Sequence, residues 1–202
     1  MDKQKLEQKK SRIMEAALQV FVKQGFSNAR MDDIVEKSGM SKGAIYYHYK
    51  SKKDLFLELI DHWETHTFPE FYTKSEPERT ASDTLRGFAL EVADIFENRK
   101  YVFLAEIEFW ALANRDKDVR DRSRQLYTKI LTLFEKVLNK GIRAGEFNGI
   151  NTKMAAFTIM TGLQGVNWFS IFTSNDFSAR EYLVEVMEFM IRGFNLQPKP
   201  AA

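Results

Sequence analysis

The chain has 202 residues, of which 44% are hydrophobic, enough to bury a core in one or two domains. It contains no cysteine, which excludes disulfides and thiolate metal sites and fits a reducing cytoplasm. We expect no signal peptide, because the Lys- and Glu-rich start has no apolar run behind it. No run of roughly 18 apolar residues predicts a membrane span.

Charge is distributed unevenly along the chain. The formal net charge is only +2, but residues 1–53 contain 12 Lys and Arg against 6 Asp and Glu, a net charge of +6. The remaining 18 basic and 22 acidic residues give residues 54–202 a net charge of −4. This asymmetry is expected if only the N-terminal part meets phosphates.

The first fifty residues predict three short helices. The apolar stripe of the first helix has helical spacing and comprises Ile13, Ala16, Ala17, Val20 and Phe21. Gly25 should end this helix in a left-handed conformation, with Phe26 packing back. A second helix should end at Gly39, and Ser41 is a good N-cap for the third. Three short helices with a glycine-containing turn before the third match a helix-turn-helix arrangement.

The segment from Ser41 to Lys52 combines four aromatic or imidazole rings with three lysines. Lysines suit phosphates, whereas rings suit sugars and thymine methyl groups. Ile45 and Tyr49, four residues apart, are expected to face the core. The segment therefore predicts a helix that reads DNA; the alternative is a helical bundle with incidental tyrosines.

The remainder of the chain also predicts helices, so the expected fold class is all-α. The fourth helix should run from about residue 52 to residues 67–72, before a polar loop over 73–82 bracketed by Pro69 and Pro77. The later helices are expected at 82–98, 101–114, 117–143, 151–173 and 178–194. The predicted domains are 1–53 and 54–196, followed by a loose tail over 197–202.

The first 55 residues resemble the DNA-binding domain of TetR-family transcriptional regulators. The matching motifs are Gly25-Phe26, Asp33-Ile34, Gly39-Met40-Ser41-Lys42-Gly43, Tyr46-Tyr47-His48-Tyr49, Lys52 and Leu55. The second part resembles the family more loosely, through Phe109-Trp110-Ala111, Asp116 and the segment from Gly141 to Phe147. The resemblance implies an all-α homodimer with an N-terminal helix-turn-helix domain and a C-terminal helical domain for ligand binding and dimerisation. It further implies a repressor that binds a palindromic operator and is released by a small molecule.

The resemblance and the chemistry of the side chains together predict the DNA contacts. The third helix should enter the major groove with its N-terminal end toward the bases. Lys52 should add a cation to the amides of a helix N-terminus. The expected DNA-binding residues are Arg30, Ser41, Lys42, Gly43, Ala44, Tyr46, Tyr47, His48 and Lys52. One departure from the family is Arg30, which stands near the usual Ser or Thr cap; it can bind phosphate but cannot cap, so the cap comes from Asn28 or is missing.

The effector is expected among the helices between residues 52 and 173. The helix over 101–114 is apolar on nearly every side, which predicts burial. Glu106 beside aromatic rings could hold an organic cation, or could instead pair with an arginine. The expected ligand-binding residues are His62, Trp63, His66, Phe103, Glu106, Trp110, Phe157 and Trp168.

His62 and His66 lie one helical turn apart, with Glu58 one turn earlier. This ladder could bind a divalent metal, hydrogen-bond a ligand or serve the fold alone. A full coordination sphere is hard to build from so few ligands, so we predict neither a metal nor a cofactor. An effector wedged against this part of the fourth helix would swing the helix and change the spacing of the recognition helices.

The helices over 151–173 and 178–194 are strongly apolar, and Gly162 and Gly165 allow close approach. By resemblance they should pair with their copies in a homodimer; the alternative is an ordinary intrachain core. A helical enzyme is a poor alternative function, because three histidines, no cysteine and no serine-centred elbow offer little catalytic machinery. A scaffold that does not touch DNA is disfavoured by the charge asymmetry.

Overall fold

The computed structural model describes the backbone of residues 3–67, 79–172 and 176–195, and side chains of residues 6–63, 79–172 and 176–195. This part of the chain is helical and has no strand, which confirms the all-α prediction. Its α-helices are α1 (Lys3–Asn28), α2 (Met31–Ser38), α3 (Lys42–His48), α4 (Lys52–Thr67), α5 (Ala81–Arg99), α6 (Tyr101–Ala113), α7 (Lys117–Arg143), α8 (Thr152–Gln164) and α9 (Ala179–Phe194). A 3₁₀ helix spans Gly165–Ser170. Among these described helices, none combines the length and apolar character that crossing a membrane requires.

The chain divides into two compact units. The first unit comprises residues 1–67 and 101–126, and the second comprises residues 68–100 and 127–202. The first unit therefore contains α4, α6 and the start of α7 in addition to α1–α3. The domain boundary after residue 53 stays a prediction. The expected end of the fourth helix, Pro69, Pro77, most of the loop over 73–82 and the tail over 197–202 lie outside the described residues.

Aromatic rings connect α1, α4 and α6 in the core of the first unit. The Phe56 ring centroid lies 5.2 Å from that of Phe21, 4.7 Å from that of Phe26 and 5.4 Å from that of Phe109. Edge-to-face pairs of this kind stabilise a fold beyond the area that they bury. One aromatic cluster thus joins helices from the two chain segments that make up the first unit.

The second unit is built around α5 and α9, with the far half of α7 against them. The ring centroids of Phe88 and Phe134 are 5.2 Å apart. The Glu146 carboxylate accepts hydrogen bonds from the Ala81 and Ser82 N–H groups, at 2.8 and 3.0 Å. It thereby satisfies free amides at the start of α5. Gly141 is required there, since a Cβ on it would lie 2.3 Å from a ring carbon of Phe147.

The predicted helix over 151–173 is wrong in its second half, because α8 ends at Gln164 and a 3₁₀ helix follows. The change occurs where Gly165 meets α9: a Cβ on Gly165 would lie 2.1 Å from the Tyr182 hydroxyl. That hydroxyl donates a 2.7 Å hydrogen bond to the Gly162 carbonyl. The close approach expected at the two glycines is confirmed. In a 3₁₀ helix residues i and i+3 share one face, so the side chains beyond residue 164 turn differently than an α-helix predicts.

Candidate DNA-binding surface

The junction between α1 and α2 depends on a glycine and on a carboxylate. Gly25 has φ 75° and interrupts α1, as predicted, although one further helical turn follows it. Arg30 occupies the N-cap position of α2, and its N–H donates to the Asp33 carboxylate at 2.8 Å. The Asn28 side chain instead donates to the Gln24 carbonyl. Of the two expected alternatives, the cap from Asn28 is wrong, and Arg30 makes no side-chain cap hydrogen bond. Asp33 supplies half of a capping box.

The turn between α2 and α3 has the chemistry that the sequence predicts. Gly39 is left-handed, with φ 62° and ψ 24°, and its N–H donates to the Val35 and Glu36 carbonyls. The Ser41 hydroxyl accepts a 3.2 Å hydrogen bond from the Ala44 N–H and caps α3. The turn thus fixes the N-terminal end of α3, which carries Lys42 and Gly43, at the surface of the first unit.

α3 divides its rings between the core and solvent. Ile45 is fully buried and Tyr49 is 2% exposed, which confirms that these two residues hold the helix. Tyr47 is 76% exposed and Tyr46 is 39% exposed. The ring centroids of Tyr47 and His48 lie 5.1 Å apart, edge to face. Large rings left this open to water are available to a partner.

The cations near these rings differ in their partners. The Lys42 ammonium lies 2.7 Å from the Asp32 carboxylate and 5.8 Å from the centroid of the Tyr46 ring. The hydrogen bond and charge of Asp32 raise the pKa of Lys42, so it remains cationic. Within the described residues, the exposed Arg30 guanidinium has no ion pair. Arg30 is thus a cation that is available to a phosphate.

Lys52 has partners within the protein, and the phosphate contact expected of it stays a prediction. Its ammonium donates hydrogen bonds to the Phe26, Ser27 and Ala29 carbonyls, the last two at 3.1 and 2.7 Å. It also lies 4.6 Å from the centroid of the Phe26 ring. Burial lowers the pKa of Lys52. The side chain satisfies carbonyls left free at the end of α1, a need that local sequence does not reveal.

Several predicted effector residues lie in the first unit, on α4 and α6. Phe103 and Glu106 are buried, and Trp110 is at the border of exposure. Trp63 is also buried, but its indole N–H donates to the Val102 carbonyl at 3.0 Å. Trp63 therefore joins α4 to α6 and has no free polar group for a ligand.

His62 lies on α4 beside α1, and its role in effector binding stays a prediction. It lines a groove of about 320 Å³ with Glu58 of α4 and with α1 residues that include Glu7 and Lys10. The side chain of His66 lies outside the described residues, so its pairing with His62 stays a prediction. The described residues include no group of three or more metal-ligating side chains placed to hold an ion.

Phe157 and Trp168 lie on the surface of the second unit. Phe157 is 49% exposed and Trp168 is 61% exposed. The 3₁₀ helix explains the position of Trp168, because it places this residue on one face with exposed Ile171. A role for either residue in effector binding stays a prediction. Met154, Ile171, Phe172 and Phe189 are also large, apolar and exposed, and the Trp168 ring stacks on that of Phe172. We call these six residues the apolar face.

No role was assigned from the sequence to two polar side chains that are notable in the structure. A Glu108 carboxylate oxygen accepts a 3.2 Å hydrogen bond from the Phe26 N–H, which ties α6 to the end of α1. Asn167 is buried in the second unit, and its amide has no hydrogen-bond partner within the described residues. The only signal for either was a polar residue inside an apolar run.

Two models of known protein families match this chain. Residues 13–59 match the model of bacterial regulatory proteins of the tetR family. Residues 78–171 match the model of the tetracyclin repressor-like C-terminal domain. The HTH-type transcriptional regulator QacR of Staphylococcus aureus (strain Mu50 / ATCC 700699) is 26% identical over 154 residues, covering 73% of this chain and 80% of QacR.

Solved structures share the fold. Salmonella enterica GusR superposes with a TM-score of 0.74 at 23% identity, over 93% of this chain and 95% of GusR. The transcriptional regulator FadR from Bacillus subtilis, in complex with stearoyl-CoA, gives a TM-score of 0.73 at 17% identity, over 91% of this chain and 98% of FadR. α3 is exposed and flanked by cations, and family models match both the N-terminal and the C-terminal part of the chain. The chain therefore belongs to the TetR family of DNA-binding transcriptional regulators.

Proposed function

We propose that the protein is a homodimeric repressor that binds a palindromic operator and is released by a small-molecule effector. The observation that carries the proposal is the 76% exposure of Tyr47 on a capped helix that also presents Lys42. Such a helix is suited to the major groove, where side chains at its N-terminal end reach base edges. Arg30 and the +6 charge of residues 1–53 supply attraction to the phosphates.

The apolar face of the second unit supports the homodimer. Single exposed apolar residues are ordinary, but a group that includes Phe189 at 74% and Trp168 at 61% exposure is typical of an interaction surface. A second copy of the same face is the simplest complement, because most oligomers are symmetric. A two-fold dimer presents two copies of α3, which matches a palindrome with half-sites one helical turn apart.

Contacts around Phe26 support a route from effector to DNA. α6 carries the predicted effector residues Phe103, Glu106 and Trp110, and its Glu108 holds the Phe26 N–H. Lys52 at the start of α4 holds the Phe26 carbonyl and ring. Phe26 lies four residues before Arg30, so a shift of α4 or α6 would move the start of α2. The effector must bind the DNA-incompetent state more tightly, or it would shift nothing. The stearoyl-CoA complex of FadR offers a precedent for a bound small molecule in this fold.

The test begins with selection of an operator from random double-stranded DNA by the wild-type protein. Anisotropy titrations should then show affinity that falls steeply with salt, because several phosphates are contacted. Tyr47→Ala with Lys42→Ala should weaken operator binding about a hundredfold, since each base contact adds discrimination. The matched control is Leu90→Ala with Lys136→Ala, which removes an exposed apolar residue and an exposed lysine from the second unit.

Three results would count against the proposal. They are enrichment of no sequence, a flat salt dependence, or equal affinity of the Tyr47 and Lys42 double variant and its control. Compounds extracted from the purified protein and added back should release the operator. Binding that no such compound weakens would leave a DNA-binding protein without the proposed effector control.

A further inference from the structure

The pairing of Asp32 with Lys42 joins α2 to the recognition helix. Asp32 is the second residue of α2 and Lys42 is the first residue of α3. Their side chains are 67% and 60% exposed, so the ion pair, 2.7 Å between nitrogen and oxygen, stands in solvent on the surface that carries Tyr46. An exposed pair of this kind adds little to the stability of the fold, so stability does not explain why the two charges are paired.

Asp32 is not needed to build α2. The neighbouring Asp33 performs the capping task, accepting the Arg30 N–H at 2.8 Å. The Asp32 carboxylate is favoured by its place in the first turn of a helix and faces Lys42 and water. A negative charge beside a helix that approaches phosphates would weaken DNA binding in general. It is therefore suited to a task that depends on the sequence of the DNA.

We propose that Asp32 and Lys42 act together as a specificity-determining pair that reads one G·C base pair in each half-site. This inference rests on the proposed function. In the major groove guanine presents O6 as an acceptor and cytosine presents its N4 amino group as a donor. These two atoms are hydrogen-bonded to each other, about 2.9 Å apart. The Lys42 ammonium and the Asp32 oxygen, 2.7 Å apart, form the complementary donor and acceptor at the same spacing.

The pair also withholds a cation from non-specific DNA. A lysine alone binds any phosphate, whereas a lysine already paired with a carboxylate must give up that partner or bring a negative charge along. At a G·C pair both charges find partners at once. Asp32 therefore lowers affinity for random sequence and retains affinity for the operator.

The test uses the full-length protein and repeats the operator selection with Asp32→Ala, Lys42→Ala and the double variant. Glu36→Ala is the matched control, because Glu36 is an exposed carboxylate one turn further along α2. Both single variants should lose preference for G·C at the same position of each half-site, by roughly ten- to a hundredfold. The double variant should lose little more than either single variant, since both groups serve one contact. Glu36→Ala should raise affinity for all sequences and keep the base preference.

The inference is overturned if Asp32→Ala keeps the wild-type base preference, or if the two single variants affect different positions. An A·T pair at the affected position would equally contradict it. Failure of the wild-type protein to enrich any sequence has a different meaning, because it contradicts the proposed function first and this inference with it. Circular dichroism of each variant checks that the exposed substitutions leave the helices intact.

Discussion

Aromatic side chains are exposed in two regions of the molecule, and their neighbours differ. On α3, Tyr46 and Tyr47 accompany Lys42, whose ammonium lies 5.8 Å from the Tyr46 ring centroid. On the second unit, Trp168 stacks on Phe172 with centroids 5.7 Å apart, within a face of apolar residues. Rings beside cations suit a polyanion, whereas rings beside apolar side chains suit another apolar surface. Exposure therefore identifies a contact surface, and the surrounding charge indicates its partner.

The largest effect should come from placing charge on the apolar face. Phe157→Asp with Phe189→Asp should convert the proposed dimer to monomers, because a desolvated carboxylate in an apolar interface is costly. Operator affinity should fall by more than about a hundredfold, since one monomer reads only one half-site. Sedimentation equilibrium measures the change in mass, and anisotropy measures the change in affinity.

The control for this prediction is Leu90→Asp, on α5, which adds a carboxylate at an exposed leucine outside the apolar face. It should leave mass and operator affinity unchanged. If the Phe157 and Phe189 variant remained dimeric, the apolar face would not be the surface that contacts a second copy of the chain.

The structure of the first region could be predicted where it depends on residues close in sequence. It could not be predicted where it depends on contacts between residues far apart in sequence. The helical period alone separates Ile45 and Tyr49 from Tyr46 and Tyr47, and Ser41 and Gly39 mark the turn within a few residues of where they act. The task of Lys52 depends on carbonyls that lie more than twenty residues earlier. No local pattern contains that information, so the sequence suggested a phosphate contact.

The second region shows the same limit. The sequence predicted an apolar helix over 151–173, and the apolar character is correct. Its change to a 3₁₀ helix depends on Gly165 meeting Tyr182 of α9, a contact between separate helices. The bond from Phe26 to Glu108 is likewise tertiary. The helices of this chain thus follow from its periodicity, whereas the orientation of individual site residues requires the packed structure.

A middle-sized effect should decide which lysines belong to the DNA-binding region. Lys52→Met removes hydrogen bonds to three carbonyls, so the free energy of unfolding should fall by about 2 kcal/mol. Urea denaturation measures this loss. Lys50→Met is the matched control, because the exposed Lys50 side chain loses the same charge without those contacts. Should Lys52→Met instead leave stability unchanged and reduce the salt dependence of DNA binding by about one ion, Lys52 is a phosphate contact after all.

The smallest effect should separate the buried tyrosine of α3 from its exposed neighbour. The Tyr49 hydroxyl is buried and has no hydrogen-bond partner within the described residues. Tyr49→Phe should therefore raise the free energy of unfolding by about 1 kcal/mol, as it removes a polar group that folding leaves unsatisfied. Urea denaturation at pH 8 measures this gain. Tyr47→Phe is the control and should change stability little, because the Tyr47 hydroxyl stays in water in both states.

The advantage of Tyr49→Phe should grow in alkali. Burial, followed by the charges of Glu58 and Glu7, raises the pKa of Tyr49 above its usual value. The native state then holds the phenolic proton more tightly than the unfolded chain. The stability from this difference is complete below the unfolded pKa of about 10 and is lost as pH rises above it. Wild type should lose this contribution at pH 10.5 and above, whereas the phenylalanine variant has no such proton to lose. Equal pH dependence of the two proteins would mean that Tyr49 reaches water, and that the division of rings on α3 is less complete than its burial indicates.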